Sequence, residues 1–316
     1  MSPDPIRLRG RLTRRDVLRG AGLLGAAGVL AACGAGRDGN AAGETPTAGG
    51  QPTGDTHQAI LDKLGIDAPR DLVVVIPAAE FLVGEDRRMQ FGLATQDREF
   101  ISGLEGVEVT VVADEGLEPV DGPAPVRVHD RFGQLGVYST EVSFPSPGVY
   151  WIVAAAPDRV AVNPIRAIPP EQSPVPQVGE PIPSETTPTF DDPMEFAEVC
   201  TRDPDCSMHD VSLDDALAAG RPIVLTVATP LYCQTAICGP VVDVIDGVKQ
   251  DVGRDDVAWI HVEVFTDAGN TPADLVNTLG LPSEPWTFFI GADGKLADKL
   301  EGPTPEELVR EILDKI

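Results

Sequence analysis

Apolar and polar residues alternate in short runs between about residues 57 and 168. In Val137–Phe144, for example, one set of alternating positions holds Tyr, Thr, Val and Phe. A period of two residues is typical of a half-buried β-strand. We predict strands at Leu72–Ile76, Met89–Ala94, Val107–Val112, Val137–Phe144 and Val149–Ala154. Short strands without amphipathic helices between them predict an antiparallel β-sandwich for residues 57–168.

One segment of this region carries a family resemblance. Gly136–Ile152 resembles the closing hairpin of the immunoglobulin-like sandwich domains of exported bacterial proteins, and within it Pro145–Gly148 separates two alternating runs as a hairpin loop does. No residue here has catalytic spacing, so we expect a spacer or a binding module. His129, beside Asp130 and Arg131, is predicted to be a surface loop residue rather than a ligand.

The pattern changes after a proline-rich segment. Residues 169–193 hold eight prolines and few large apolar side chains, which predicts an extended, semi-rigid connector. From about residue 194, almost continuous apolar runs alternate with helical patterns, as expected of strands that are buried on both faces. The predicted order is strand, helix, strand, helix, strand, strand, helix, at Pro222–Ala228, Val241–Val252, Val257–Phe265, Pro272–Leu279, Thr287–Ile290, Lys295–Leu300 and Pro305–Lys315.

This order, with a cysteine pair after the first strand and Pro285 before the third, resembles the thioredoxin fold over about residues 210–316. The resemblance implies an α/β thioredoxin-like C-terminal domain preceded by the all-β sandwich. In thioredoxin-like proteins the proline before the third strand is cis and faces the active cysteine. Pro285 is the matching residue, and the resemblance implies that it helps to dock the backbone of a substrate.

The cysteine motif departs from the family's C-x-x-C. Here Cys233 and Cys238 form a C-x4-C, while Cys238-Gly239-Pro240 matches the start of the common C-G-P-C with Val241 in place of its second cysteine. Either Cys233 is the nucleophile and Cys238 resolves the mixed disulfide, or Cys238 is the motif cysteine and Cys233 its upstream partner. Residues five apart on one helix diverge by about 140°, so the pair can close only if Cys233 lies in the preceding loop. That placement favours Cys233 as the attacking thiol.

A second cysteine pair lies upstream. Cys200 and Cys206 predict a structural disulfide, because cysteines of exported proteins are commonly paired. The alternatives are disulfide shuttling between the two pairs and metal binding. Met208, His209 and His261 are candidate metal ligands, since thiolate, thioether and imidazole are the ligands that soft copper prefers. The sequence commits no residue to a metal and predicts no cofactor, with copper as the alternative.

The first 33 residues have the features of a bacterial export signal. Arg14 and Arg15 lie in a segment that resembles the twin-arginine motif, and a short apolar stretch ends in Leu30-Ala31-Ala32-Cys33, which resembles a lipobox. The resemblance implies cleavage before Cys33 and lipidation of its thiol, with the general secretory route as the alternative for export. Residues 34–56 read as a flexible tether. We therefore expect a lipid-anchored protein on the extracytoplasmic face of the bacterial cell membrane.

The net charge excludes one class of partner, and the domain organisation leaves two hypotheses for the function. The chain has 24 basic and 50 acidic residues and a formal charge of −26, which argues against a nucleic-acid partner. The predicted organisation is a signal peptide (1–33), a tether (34–56), a sandwich (57–168), a linker (169–193) and a thioredoxin-like domain (194–316). The enzymatic hypothesis is a thiol–disulfide oxidoreductase acting on the thiols or disulfides of exported proteins. The alternative is a non-catalytic binding module or a copper metallochaperone.

Overall fold

The computed structural model describes residues 54–129, 132, 136–233 and 237–316. The predicted export signal, Cys33 and nearly all of the tether lie outside these residues. Within the described parts of the chain, no helix combines the length and the apolar character that crossing a membrane would need.

The described residues between 54 and 168 form a short helix followed by two antiparallel sheets. Helix α1 is Gly54–Leu64. The strands are β1 (Leu72–Val75), β2 (Gly84–Thr95), β3 (Phe100–Ile101), β4 (Glu108–Ala113), β5 (Pro119–Pro125), β6 (Arg127–His129), β7 (Val137–Phe144), β8 (Gly148–Ala156) and β9 (Arg159–Ala167). One sheet has the order β1-β2-β7-β6, with β3 on β2, and the other has the order β5-β4-β8-β9. The strand predicted at Val137–Phe144 is confirmed residue for residue.

Alternation builds the core between these two sheets. Phe91 on β2, Val109 on β4 and Ile152 on β8 have no exposed surface and belong to one hydrophobic cluster. His129 ends β6 and is also buried, with Nε2 at 2.8 Å from Oγ of Ser139. The prediction of a surface loop residue is therefore wrong at His129, because its side chain points to the covered side of the edge strand.

The proline-rich segment 169–193 runs along the edge of a third sheet. It contains a 3-10 turn at Pro170–Gln172 and no strand. The N–H of Gly179 donates to the carbonyl of Leu296, and that of Ile182 to the carbonyl of Gly294. Val175 and Ile182 are buried against this sheet. The segment is thus anchored to the body of the protein by main-chain hydrogen bonds as well as by apolar contacts.

The remaining residues that the structure describes form the third sheet and four helices. The elements are α2 (Leu213–Ala218), β10 (Ile223–Val227), α3 (Cys238–Val252), β11 (Ala258–Val262), α4 (Asp274–Thr278), β12 (Trp286–Ile290), β13 (Leu296–Glu301) and α5 (Glu306–Leu313). The sheet order is β11-β10-β12-β13, in which β10 and β11 are parallel and the other two pairings antiparallel. Strands β10, β11 and β12 are buried at every position, as their apolar runs predict.

The predicted fold class is wrong. The described residues are mostly β-sheet, in three sheets with few helices, and no clear α/β thioredoxin fold is shown. In the C-terminal third, α2, α4 and α5 have only six, five and eight residues, and α3 alone reaches 15. Apolar runs and proline- or glycine-rich connections leave little chain for helices, so strand content dominates the class.

Polar contacts join the two-sheet region to the third sheet within one compact unit, residues 52–316. Arg88 of β2 forms a two-pronged ion pair with Asp298 of β13, at 2.9 and 3.1 Å. Glu80, in the loop before β2, lies 2.7 Å from Nζ of Lys299, and both side chains are largely buried. These pairs attach β13 to the loop and strand that face it.

Candidate functional site

Two cysteines and two histidines come together where the segment before α2 packs against strand β11 of the third sheet. Cys200, Cys206 and His209 lie on the irregular segment before α2, whereas His261 is the fourth residue of β11. Sγ of Cys206 lies 3.8 Å from Sγ of Cys200, 3.4 Å from Nδ1 of His261 and 3.3 Å from Nε2 of His209. The two imidazole nitrogens are 3.3 Å apart, and Nδ1 of His261 is 3.9 Å from Sγ of Cys200. We call these four residues the Cys2His2 cluster.

The Cys2His2 cluster is enclosed. The exposed fractions of Cys200, Cys206, His209 and His261 are 8%, 2%, 1% and 0%. The hydrogen bond between the two cysteine side chains holds the pKa of Cys200 far below its usual value, and the same bond, together with burial, raises the pKa of Cys206. Burial lowers the pKa of His209, which favours the neutral form of this imidazole.

Hydrogen bonds with neighbouring residues hold the Cys2His2 cluster and its segment in place. Nε2 of His261 lies 3.1 Å from the carbonyl oxygen of Ala228, which can only accept a hydrogen bond, so this nitrogen carries a proton and Nδ1 is the ring atom that faces the cluster. The backbone N–H and hydroxyl of Thr201 both donate to Oε1 of the buried Glu263, at 2.7 and 2.9 Å. Ser207 donates its N–H and hydroxyl to Asp246 of α3. The irregular segment is therefore fixed to the residue that follows β11 and to α3, by contacts on both sides of Cys206.

The other cysteine pair lies at the start of α3. Cys233 is half-buried in the preceding loop, and Cys238 is the first residue of the helix and fully buried. The backbone N–H of Cys238 donates to Sγ of Cys233 at 3.4 Å. The thiol sulfurs and a carboxylate oxygen of Glu284 all lie within 4.8 Å of one another. The hydrogen bond with the Cys233 sulfur, together with burial, raises the pKa of Cys238.

The residues predicted from sequence within the described chain lie in or beside these two sites. Cys233 lies in the loop before the helix, as closure of the pair requires, and the Glu284–Pro285 peptide bond is cis. Met208 packs in the hydrophobic cluster beside Cys206, and its carbonyl accepts the N–H of His261. Sequence reasoning missed Glu284, although its position directly before Pro285 was a usable signal.

Both groups offer donors for a cation. The Cys2His2 cluster and the group of Cys233, Cys238 and Glu284 could bind a metal, because thiolate, imidazole and carboxylate are the common protein ligands of transition metals. The two groups differ in access: the Cys2His2 cluster is closed on all sides, whereas Cys233 retains an exposed part of its surface.

Comparisons with known proteins give no assignment. No family model matches the chain, and no curated protein matches it. Among solved structures, the chain is similar to FdeC, described as an Escherichia coli adhesin, with 17% identity and a TM-score of 0.23 over 39% of this chain and 38% of that one. It is also similar to domains 4 and 5 of the S-layer protein SbsC, with 16% identity and a TM-score of 0.18 over 33% and 48%.

A third similar structure is the C-terminal domain of ZirS, with 16% identity and a TM-score of 0.20 over 41% of this chain and 86% of that one. The chain thus spans less than half the length of the first two chains. At these TM-scores the likenesses carry no argument about function, so the site itself has to carry it.

Proposed function

We propose that this protein exchanges disulfides with exported proteins through Cys233 and Cys238. The observation that carries the proposal is the hydrogen bond from the N–H of Cys238, at the start of α3, to the half-buried sulfur of Cys233. A helix N-terminus and a donated N–H both stabilise a thiolate, which is the nucleophile in thiol–disulfide exchange. Cys238 is buried behind it and is suited to the second, internal step.

The exchange uses the two thiols of this chain and one disulfide of the substrate. The Cys233 thiolate attacks one sulfur of the substrate disulfide, so that a mixed disulfide forms and the other substrate sulfur leaves as a thiolate and takes up a proton. Cys238 then loses its proton and attacks Sγ of Cys233, which forms the internal disulfide and releases the second substrate thiol. The substrate gains two electrons, and an external dithiol must reduce the protein again. A carboxylate oxygen of Glu284 lies within 4.8 Å of the Cys238 sulfur, a separation that one bridging water can span to pass on the Cys238 proton.

A trapping experiment tests this proposal. Cys238→Ser in the full chain should accumulate mixed disulfides with exported proteins, because the resolving thiol is missing, whereas Cys233→Ser should accumulate none. The readout is non-reducing electrophoresis followed by identification of the adducts. Cys206→Ser is the matched control, since it removes a buried thiol of the other cluster. Equal adduct formation by Cys233→Ser and Cys238→Ser would remove Cys233 from its role as nucleophile.

Copper handling is the second candidate, and the Cys2His2 cluster is the set of residues that could serve it. Thiolate ligands suit copper(I). A metallochaperone, however, passes its cargo by ligand exchange with a partner, which needs an accessible ligand. His261 has no exposed surface and Cys206 only 2%, so the cluster is poorly suited to deliver copper. We therefore place disulfide exchange first.

We also propose that the protein acts at the outer face of the bacterial cell membrane, anchored by lipid on Cys33. The lipobox-like Leu30–Cys33 and the arginine pair before it support this location. Cys33→Ser should move the protein from the membrane fraction to the soluble fraction, and Arg14→Lys/Arg15→Lys should block export. Membrane retention of Cys33→Ser would contradict the anchor.

A further inference from the structure

We propose that Cys200, Cys206, His209 and His261 bind one Zn²⁺ ion in a closed tetrahedral site that fixes the segment before α2 to the sheet. This site uses none of the residues of the proposed disulfide exchange and stands independently of it. The inference rests on three observations: the distances between the four donor atoms, the enclosure of the cluster, and the hydrogen bond that orients His261.

The donor atoms already have the spacing of a zinc tetrahedron. Zinc–sulfur and zinc–nitrogen bonds of about 2.3 and 2.0–2.1 Å give tetrahedral edges of about 3.8 Å between two sulfurs and about 3.3 Å between two nitrogens. The sulfurs of Cys200 and Cys206 are 3.8 Å apart, and the nitrogens of His209 and His261 are 3.3 Å apart. Mixed edges should be about 3.5 Å, and the three measured ones are 3.3, 3.4 and 3.9 Å.

The same distances disfavour the predicted disulfide between Cys200 and Cys206. A disulfide needs sulfurs about 2.05 Å apart, whereas here the sulfurs are separated by 3.8 Å and the second sulfur also contacts both histidines. A pair prepared for disulfide formation has no need of two imidazole nitrogens facing it. Two thiolates and two neutral imidazoles, by contrast, form a complete and charge-neutral set around a divalent ion.

Enclosure indicates a structural rather than a catalytic ion. Structural zinc sites have four protein ligands, and catalytic ones keep a position open for water or substrate. Each of the four ligands is at most 8% exposed, and Met208 and Val224 pack in the hydrophobic cluster that surrounds the cysteines. Four polar groups buried in apolar surroundings are costly on their own, and a bound cation would satisfy all four donor atoms together.

The hydrogen bond from His261 to Ala228 is the kind of contact that metal-binding histidines make. The proton on Nε2 is held by the carbonyl of Ala228 at 3.1 Å, which leaves Nδ1 as the metal-binding atom. Nδ1 of His209 has no hydrogen-bond partner among the described residues, and its Nε2 faces the cluster, 3.3 Å from Sγ of Cys206 and 3.3 Å from Nδ1 of His261. Tetrahedral coordination by two sulfurs and two nitrogens points to zinc, or to an iron–sulfur centre, rather than to copper(II).

The test is elemental analysis of the full chain, purified without chelators or added metals. We expect close to one zinc per chain, less than a fifth of that in Cys206→Ser and in His209→Gln, and an unchanged value in Cys233→Ser. The last variant is the matched control because it removes a cysteine from the neighbouring pair. Copper or iron in place of zinc, or a metal-free wild-type chain with Cys200 and Cys206 joined in a disulfide, would overturn the proposal.

A second measurement detects the site in the wild-type chain, and variants are used only to assign its ligands. The wild-type chain, stripped of metal under reducing conditions and titrated with Co²⁺, should develop the strong visible bands of tetrahedral cobalt and a thiolate-to-cobalt charge-transfer band, saturating at one ion per chain. Zn²⁺ should then abolish both bands, and Mg²⁺ should not. Weak, octahedral-type cobalt spectra, or bands that are lost in Cys233→Ser and kept in Cys206→Ser, would rule out this ligand set.

Discussion

Nδ1 of His261 lies 3.4 Å from Sγ of Cys206, although 55 residues separate them in the chain. Two independent constraints produce this approach. The parallel register of β10 and β11 sets His261 opposite Thr226, and the N–H of His261 donates to the carbonyl of Met208, which brings the irregular segment alongside β11. The cluster is therefore assembled by backbone hydrogen bonds of the third sheet and its flanking segment.

The first prediction is that stability depends on divalent metal. If zinc fills the cluster, adding a strong chelator to the reduced chain should lower Tm by 10 °C or more, on the order of several kcal/mol, because binding to the folded state contributes directly to folding. Zinc should restore Tm and magnesium should not. The measurement is differential scanning calorimetry.

Cys206→Ser is the informative control for that experiment. Its Tm should be lower at the start and insensitive to chelator, since the site has already lost a ligand. A wild-type chain whose Tm does not respond to chelator would count against a structural ion, and a response that persists in Cys206→Ser would place the ion elsewhere.

The second prediction concerns thiol reactivity. In the folded, reduced chain, iodoacetamide should alkylate Cys233 at least tenfold faster than Cys238, because Cys238 is fully buried and its pKa is raised by the hydrogen bond with the Cys233 sulfur and by burial. Peptide mass spectrometry at increasing times gives both rates. Comparable rates would mean that the helix N-terminus does not distinguish the two thiols.

The third prediction separates packing from backbone strain at a glycine. Gly280 has φ +63°, and a Cβ there would lie 2.7 Å from Cβ and 2.8 Å from the carbonyl oxygen of Pro174 in the proline-rich segment. Gly65 has φ +67° and open space around it. Both alanine substitutions should cost about 1–2 kcal/mol of backbone strain, and Gly280→Ala should cost about 1–3 kcal/mol more from the clash. Urea unfolding that gives equal losses would show that Pro174 moves away freely.

Sequence patterns anticipated the local elements better than their class. The period of two over Val137–Phe144 and the apolar run at Ile223–Val227 each depend on neighbouring residues alone, and both are strands. The fold class depends on how many residues are in helices and how many in strands over the whole described chain. The resemblance of one segment to a family does not determine that proportion. That is why the α/β prediction was wrong although several of its elements are present.

The candidate metal centre was only partly visible for the same reason. Cys206 and His209 are three residues apart and stand out in the sequence. His261 lies 52 residues beyond His209, in a strand whose apolar neighbours favour a buried position for this side chain. Its burial was therefore foreseeable, but its contact with the cysteines depends on sheet register and on the hydrogen bond to Met208, which no local pattern encodes.

The fourth prediction concerns the buried ion pair of Glu80 and Lys299. Burial lowers the pKa of Lys299, and the Glu80 carboxylate 2.7 Å away opposes this shift. Lys299→Met should cost about 3–5 kcal/mol in free energy of unfolding, because it leaves the Glu80 carboxylate buried without its cation. Glu80→Gln/Lys299→Met should be no less stable than Lys299→Met, by urea unfolding. A double variant less stable than Lys299→Met would mean that the two charges contribute independently.

The fifth prediction concerns acid stability and follows from Asp298. Burial alone would raise the pKa of this carboxyl, but the hydrogen bonds and charges of Arg88 and Lys315 outweigh it and lower the pKa below its usual value. A lowered folded-state pKa contributes stability that is present above the unfolded value of about 3.9 and is lost as pH falls through the folded value. Asp298→Asn should therefore cost about 1.5–3 kcal/mol at pH 7, and the difference from wild type should shrink steadily below about pH 4.

The matched control for this effect is Glu311→Gln. Its partner Arg127 lies 2.7 Å away, but both side chains are about half exposed, so solvent screens the pair and we expect about 0–1 kcal/mol at pH 7. Free energies of unfolding measured from pH 7 to pH 3 for the two variants and the wild-type chain give the comparison. A gap for Asp298→Asn that stays constant down to pH 3 would show that the side chain acts through packing, since only a charged carboxylate loses its contribution on protonation.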